Sequence, residues 1–258
     1  MKIKQNSTII LVVMAKKKQT VKGELIYGIN PILELLKAKR RKIIQLYTTR
    51  PEPRSMGHIK RYLPRHPVPI QYVTRAILQR MVDNTDHQGV VAWVHPFPFT
   101  KKLFDPAKHP FILMLDGVQD TRNFGAILRS AYCTGIDAIV VPTKNSAPLN
   151  ATTLKASAGL AEQLQINITD NLLATAHELK KAGYKFVLAT LDGQDPETLA
   201  FDEPTCLVIG SEGTGISTPL LSLGTHITIP QRSPDISYNA SVAAGILLYT
   251  IGRKKKIL

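Results

Sequence analysis

The chain has 258 residues, long enough for one large or two modest domains, and 44% hydrophobic with 20% charged residues is ordinary for a folded protein. Its net charge of +14 is unevenly placed: residues 1–110 hold 21 Lys/Arg against 6 Asp/Glu, and residues 111–258 hold 12 against 13. The asymmetry points to a polyanionic partner, either nucleic acid or an anionic membrane surface, and because the charge is confined to one region nucleic acid is favoured over a basic face kept for solubility.

The two cysteines, Cys133 and Cys206, are far apart and each sits inside an apolar run. They read as small buried hydrophobes of a reducing compartment. The seven histidines show no ligand spacing, so no metal is expected.

The chain opens with "MKIKQNSTIILVVMAKKKQT", whose apolar stretch from Ile9 to Val13, reaching Ala15, is too short to span a membrane. Three lysines follow it where a cleavage site would stand. Met14 is a second candidate start, giving a basic tail "MAKKKQTVKGE". Residues 1–21 are therefore expected to be a disordered tail, and the protein cytoplasmic.

From Leu25 to residue 95 the chain reads as a small α/β domain. In "YGINPILELLKAKRRK" Asn30 suits a helix cap and Pro31 the first helical position, with Ile32, Leu35 and Leu36 on one face and a basic end. "KIIQLYTT" is strand-like, "SMGHIKRYLPRH" helical up to Pro64, "PVPIQYV" extended, "TRAILQRMV" a helix and "QGVVAWV" a strand. Residues 96–110 carry four prolines and several charges, the composition of a linker.

A cleaner alternation follows over 111–258. "FILMLDGV" is a continuous apolar run of the kind buried on both faces of a parallel sheet. The polar "QDTRN" leads into the helix "FGAILRSAYCTG", closed by Gly135, and "DAIVVP" completes a βαβ unit. "LNATTLKASAGLAEQ" and "NLLATAHELKKAG" read as helices, and "KFVLATL", "TCLVIG" and "HITIP" as strands. This second domain is α/β with a mostly parallel sheet.

Three loops follow predicted strands: "DGVQDTRN", "GSEGTGIS" and "PQRSPDISYNAS". Ligands of open parallel sheets sit beyond the carboxyl ends of strands, so the three could converge on one pocket. The glycines Gly210, Gly213 and Gly215 are spaced G-x-x-G-x-G, which is neither the dinucleotide fingerprint nor a Walker loop. On spacing alone this is a tight turn, and a nicotinamide-dependent enzyme is disfavoured.

Taken together, "LDGVQDTRNFGAILRSAYCTGIDAIVVP", "LVIGSEGTGIS" and "ITIPQRSPDISYNASVAAGILLY" closely resemble the three motifs of the SpoU/TrmH family of RNA ribose 2'-O-methyltransferases. "SAPLNATTLKASAGLAE" is similar to the RlmB-like branch that methylates a guanosine of 23S rRNA, and "YGINPILELLK" with "DHQGVVAWV" to its N-terminal, L30e-like RNA-binding domain. The resemblance implies a C-terminal SPOUT fold with a deep trefoil knot, S-adenosyl-L-methionine as methyl donor, and a homodimer formed through the knotted domain.

It also implies a set of site residues. Arg129 matches the motif 1 arginine, to which the family assigns a central role, sometimes as base. An arginine almost never loses its proton, so a cation that binds RNA phosphate and stabilises the 2'-oxyanion is preferred here, with the base left open. Asn123 matches the motif 1 asparagine and Glu212 the motif 2 glutamate. Ser237 and Asn239 are expected to order the loop and first turn of the last helix beside cofactor and ribose; without the other motifs, Asn239 or Ser241 would be read only as a cap. Family cofactor positions map to Gly210, Ile229 and Tyr238. Tyr238 replaces the usual leucine, and "PQRSPD" departs from the usual start of motif 3, which bears on the shape of the pocket. The readings in competition are a 23S rRNA methyltransferase, the same chemistry on tRNA, and an RNA-binding assembly factor without catalysis.

Overall fold

A computed structural model describes residues 22–136, 138–233 and 236–258, so the expected tail over 1–21 lies outside the described residues. The first unit runs β1 (Glu24–Tyr27), α1 (Ile29–Ala38), β2 (Ile43–Thr48), α2 (Met56–Tyr62), β3 (Ile70–Tyr72), α3 (Arg75–Val82) and β4 (Val90–Val94). Its four strands lie in the order β1-β4-β2-β3, with β4 antiparallel to both neighbours and β3 a parallel edge strand. Asn30 is not the cap of α1. Gly28 takes that place at φ 90°, and the Ile29 N–H is satisfied by Gln88 Oε1 at 3.0 Å. A cap supplied from the loop before β4 leaves no local signature, so Asn30 was the natural wrong choice. Pro31 still falls in the first turn, where its missing N–H leaves no bond unmade.

The second unit runs β5 (Phe111–Leu115), α4 (Thr121–Cys133), β6 (Ala138–Pro142), α5 (Ala151–Ala156), β7 (Gln165–Thr169), α6 (Leu172–Lys181), β8 (Lys185–Gln194), β9 (Thr205–Ile209), α7 (Thr218–Leu221), β10 (Thr225–Ile227) and α8 (Ala240–Lys254). Six strands form a parallel sheet in the order β10-β8-β9-β5-β6-β7. This is the expected α/β class. Strands β5 and β9 are buried throughout, and their alternate residues feed two cores. Leu113, Leu115, Leu207 and Ile209 join a cluster with Phe124, Ile127, Leu247 and Leu248 from α4 and α8. Ile112, Met114, Cys206 and Val208 join one with Ala176, Leu179 and Leu220 from α6 and α7. Burial on both faces is why these strands read as unbroken apolar runs.

Three local readings need correction. The expected helix over 149–163 breaks at Ala158 (φ 53°) and Gly159 (φ 84°), ending α5 and starting a separate 3-10 turn, Leu160–Gln163. A Cβ at Gly159 would sit 2.6 Å from Pro31 Cα, so the break is where α1 packs against the second unit. Strand β7, "QINIT", was not foreseen. Cys133 is exposed while Cys206 is fully buried, so only Cys206 behaves as a small core hydrophobe.

The two units share one continuous core, which runs from Ile26 and Leu46 to Leu113 and Leu248. The proline-rich segment after β4 is bound to the edge of the parallel sheet: the Thr100 N–H donates to Ile166 O at 2.9 Å, and the Ile168 N–H to Thr100 O at 3.1 Å. Phe97 and Phe104 of this segment are buried. Beside it Arg41 is paired with Glu162, and the Arg40 guanidinium donates to the carbonyl oxygens of Glu162, Leu164 and Pro98.

Candidate active site

The order in which the chain adds strands reverses at the β5–β9 pair, with every strand still parallel. From β5 the chain builds outward through β6 to β7, while β9 and β8 lie on its other side. Loops leaving neighbouring strands at such a point diverge over opposite faces and leave a crevice. Here they are clipped together: the Asp116 N–H donates to Ile209 O at 2.8 Å, and Asp116 Oδ2 accepts from the Ser217 N–H at 2.7 Å. Asp116 was passed over in the sequence; an Asp directly after a buried strand was the available signal.

"GSEGTG" is indeed a tight turn. The Ser211 and Gly215 peptide groups bond reciprocally at 3.0 Å, Gly215 sits at φ 68°, and Thr214 N–H and hydroxyl both meet Ser211 Oγ. A Cβ at Gly210 would collide with the backbone of Gly215 and Ile216, so only glycine lets the turn close this tightly. The turn projects Glu212 outward.

Helix α4 begins earlier than "QDTRN" suggested. Asp120 is its cap, accepting from Arg122 and Asn123 N–H at 2.8 Å each, which puts Asn123 in the first turn. Asn239 caps α8: its Oδ1 accepts from the Ser241 N–H at 2.9 Å and the Ser241 hydroxyl at 2.6 Å. These two donors fix the orientation of the amide, leaving its Nδ2 to donate to Glu212 Oε1 at 3.0 Å and Asn123 Oδ1 at 3.2 Å. Asn123 Nδ2 in turn donates to Glu212 Oε1. One carboxylate oxygen thus ties together the first turns of α4 and α8 and the glycine turn. The cap reading of Asn239 holds, and the other end of the same amide brings it into contact with Asn123 and Glu212.

The other predicted residues are not drawn into this cluster. Arg129 is exposed on α4 and makes no hydrogen bond or ion pair among the described residues. Ser237 is exposed and likewise unbonded, Tyr238 is 43% exposed, and Ile229 is half-buried against the main core. Gly210 is buried at the base of the turn that carries Glu212. Among the described residues no group of three or more His, Cys, Asp or Glu could hold a metal ion. The arrangement offers a carboxylate with one oxygen uncommitted, a free guanidinium, and peptide groups laid bare by glycine.

Residues 110–249 match the SpoU rRNA Methylase family, and residues 25–100 match the substrate-binding domain of RNA 2'-O ribose methyltransferases. The chain belongs to the SpoU family of RNA 2'-O ribose methyltransferases. It is 31% identical over 244 residues to the 23S rRNA (guanosine-2'-O-)-methyltransferase RlmB of Shewanella oneidensis, covering 91% of this chain and 99% of that one. It is 33% identical over 265 residues to the human mitochondrial rRNA methyltransferase 1, covering 92% and 74%. The SpoU methyltransferase AviRb of Streptomyces viridochromogenes, solved in complex with the cofactor AdoMet, superposes with a TM-score of 0.73 at 20% identity, covering 91% of each chain. The cluster of Asn123, Glu212 and Asn239 lies wholly within the span that matches the SpoU rRNA Methylase family, and the first unit lies within the span that matches the substrate-binding domain.

Proposed function

We propose that this SpoU protein transfers a methyl group from S-adenosyl-L-methionine to the ribose 2'-hydroxyl of a guanosine in 23S rRNA. The single observation that carries the reading is the Asn123–Glu212–Asn239 cluster, because a structural turn needs no carboxylate shared by two helix starts. The relatives that cover nearly the whole chain support the rRNA guanosine substrate by their names.

The glycine turn fits the cofactor. Gly210 closes the base of the turn, its backbone is open at Gly213 and Gly215, where a Cβ would meet nothing within 4 Å, and Ile229 with the exposed Tyr238 would add apolar surface for adenine and the methionine chain. When bound, the cofactor supplies a methyl group activated on a sulfonium. The protein's own part is to place and polarise the ribose. Arg129, free on the exposed side of α4, binds RNA phosphate and stabilises the negative charge that builds on the 2'-oxygen while the hydroxyl proton passes to solvent water. Asn123 and Asn239 hold Glu212, whose unbonded oxygen faces solvent and orients the groups around it. Ser237, exposed and unbonded just before α8, leaves its hydroxyl available to the cofactor or the ribose. Positioning of the hydroxyl in line with the methyl is the main contribution.

The same reading includes a homodimer, a trefoil knot in the chain returning to α8, and a cytoplasmic location. Val242, Ile246 and Tyr249 are exposed at helical spacing on one face of α8, with Tyr132 of α4 exposed as well, which supports a second copy as the cover. No helix among the described residues is long and apolar enough to cross a membrane.

The test is transfer of labelled methyl to protein-free 23S rRNA, followed by digestion to nucleosides, with Arg129→Ala beside the wild type. The expected product is 2'-O-methylguanosine, lost in the variant. Transfer to tRNA instead would replace the substrate; no transfer together with no cofactor binding would leave an RNA-binding protein.

A further inference from the structure

The substrate-binding unit contains an ordered surface arrangement that the active site does not use. Residues 22–95 carry 13 Lys/Arg against 5 Asp/Glu. On its edge strand β3, Tyr72 is 38% exposed. The guanidinium of Arg50, an exposed residue just after β2, lies over the Tyr72 ring with its central carbon 4.1 Å from the ring centre. The Tyr72 hydroxyl donates to Glu52 Oε1 at 2.6 Å, and Lys60 of α2 donates to both oxygens of Glu52 at 2.9 and 2.7 Å.

A surface tyrosine is ordinarily free to swing about its side-chain bonds. This one is tethered at its tip and stacked on its face. Arg50, Lys60 and Tyr72 are all exposed, so core packing does not account for the arrangement. Glu52 would repel a phosphate if it stood alone, but Lys60 balances it, and Arg54 and Arg61 nearby in the chain are exposed with no ionic partner among the described residues. The local charge is therefore clearly positive around a fixed aromatic–guanidinium stack.

We propose that the Arg50–Tyr72 pair is a stacking platform for an unpaired base of the RNA substrate, with Arg54 and Arg61 meeting the flanking phosphates. The inference rests on the reading of the chain as an RNA methyltransferase and adds where, and in what form, the RNA is gripped. Bases inside a duplex hide their faces, whereas a base in a loop or bulge can stack on a tyrosine or guanidinium plane. Such a contact selects for looped RNA without choosing a sequence, because every base has a face to stack.

The test uses the full chain and two RNA probes: a hairpin with 2-aminopurine at one loop position, and a fully paired duplex with the same stem. The wild type is expected to quench the loop fluorophore and to bind the hairpin more tightly than the duplex. Tyr72→Ala should abolish the quenching and weaken hairpin binding by about tenfold, with the duplex little changed. Tyr72→Phe, which keeps the ring, should retain most of both, and thermal melting of each variant excludes unfolding as the cause. Unchanged quenching in Tyr72→Ala and Arg50→Ala, or an equal loss on the duplex, would overturn the proposal. Methyl transfer by the wild type to 23S rRNA is measured alongside. Its absence would remove the functional reading, while the fluorescence would still decide whether the platform binds a base.

Discussion

Arg41, between α1 and β2, and Glu162, in the 3-10 turn before β7, are paired inside the protein although 121 residues separate them. Both are buried, at 7% and 1% exposure. The contact is two-pronged, and Arg41 also donates to Glu24 Oε2 at 2.7 Å and His95 O at 3.0 Å. Removing one partner of such a pair leaves a buried charge uncompensated, which costs more than the pair itself contributes. Because Glu24 and His95 would remain, Glu162→Ala is expected at the low end of that penalty, about 3 kcal/mol. Urea unfolding measures it; a change under about 1 kcal/mol would mean that water reaches Arg41 in the variant.

Asn239 serves the helix with one end of its amide and Glu212 with the other, and two substitutions separate the roles. Asn239→Ala loses both and should cost about 1 kcal/mol of stability through the lost cap. Asn239→Asp keeps a capping oxygen but faces Glu212 with a second carboxylate 3.0 Å away. It should be as stable as the alanine variant or better, yet lose about 10²-fold or more in methyl transfer. Retention of full activity in Asn239→Asp would show that the cluster is only structural.

Gly210→Ala should force the turn open, since the added carbon meets backbone rather than a yielding side chain. The expected cost is about 1–3 kcal/mol of stability. If the turn holds the cofactor as proposed, affinity measured by titration calorimetry should fall together with stability; unchanged affinity would remove the turn from the cofactor site.

His87 gives a pH signature. It is 1% exposed, its Nδ1 accepts the Gly89 N–H at 3.0 Å, and its Nε2 has no hydrogen-bond partner among the described residues. Burial first, and then Arg75, hold its pKa below the ordinary 6.5, with Asp86 opposing and Lys155 adding to the effect. The folded state keeps the ring neutral while the unfolded chain takes up a proton. Stability is thus unaffected above about pH 6.5 and falls as the pH drops below it, by up to about 1.4 kcal/mol per pH unit. His87→Asn, measured by urea unfolding between pH 5 and 8, should flatten that part of the profile.

Ile246 sits mid-way along the exposed apolar face of α8. A charge there meets no penalty in a monomer but would be buried between two copies. Ile246→Glu is expected to sediment as a monomer with its circular dichroism intact, and the wild type as a dimer; equal sedimentation of the two would remove this face as the contact between copies.

The parallel sheet was readable because β5, β6 and β9 are buried on both faces and declare themselves as apolar runs. The convergence of three loops followed from their places after strands, and Asn123, Glu212 and Asn239 meet as motif positions suggested. What escaped notice depends on contacts made across the chain. Strand β7 is short and carries the buried polar Asn167, whose Nδ2 donates to Lys102 O from the connecting segment. The break at Gly159 answers to Pro31, and the start of α1 answers to Gln88. None of these has a signature within its own few residues. Cys133 misled because its apolar neighbours belong to the opposite face of α4.

The hydrogen bonds from Thr100 to Ile166 and Ile168 have a consequence for exchanging parts between relatives. The segment between the two units is also an edge of the catalytic sheet, so the natural cut after β4 severs more than a tether. A chimera that brings in a foreign substrate-binding unit would have to carry residues 96–104 with it and match the carbonyls that receive Arg40. Trading whole substrate-binding units between relatives therefore disturbs the edge of the parallel sheet as well as the unit itself.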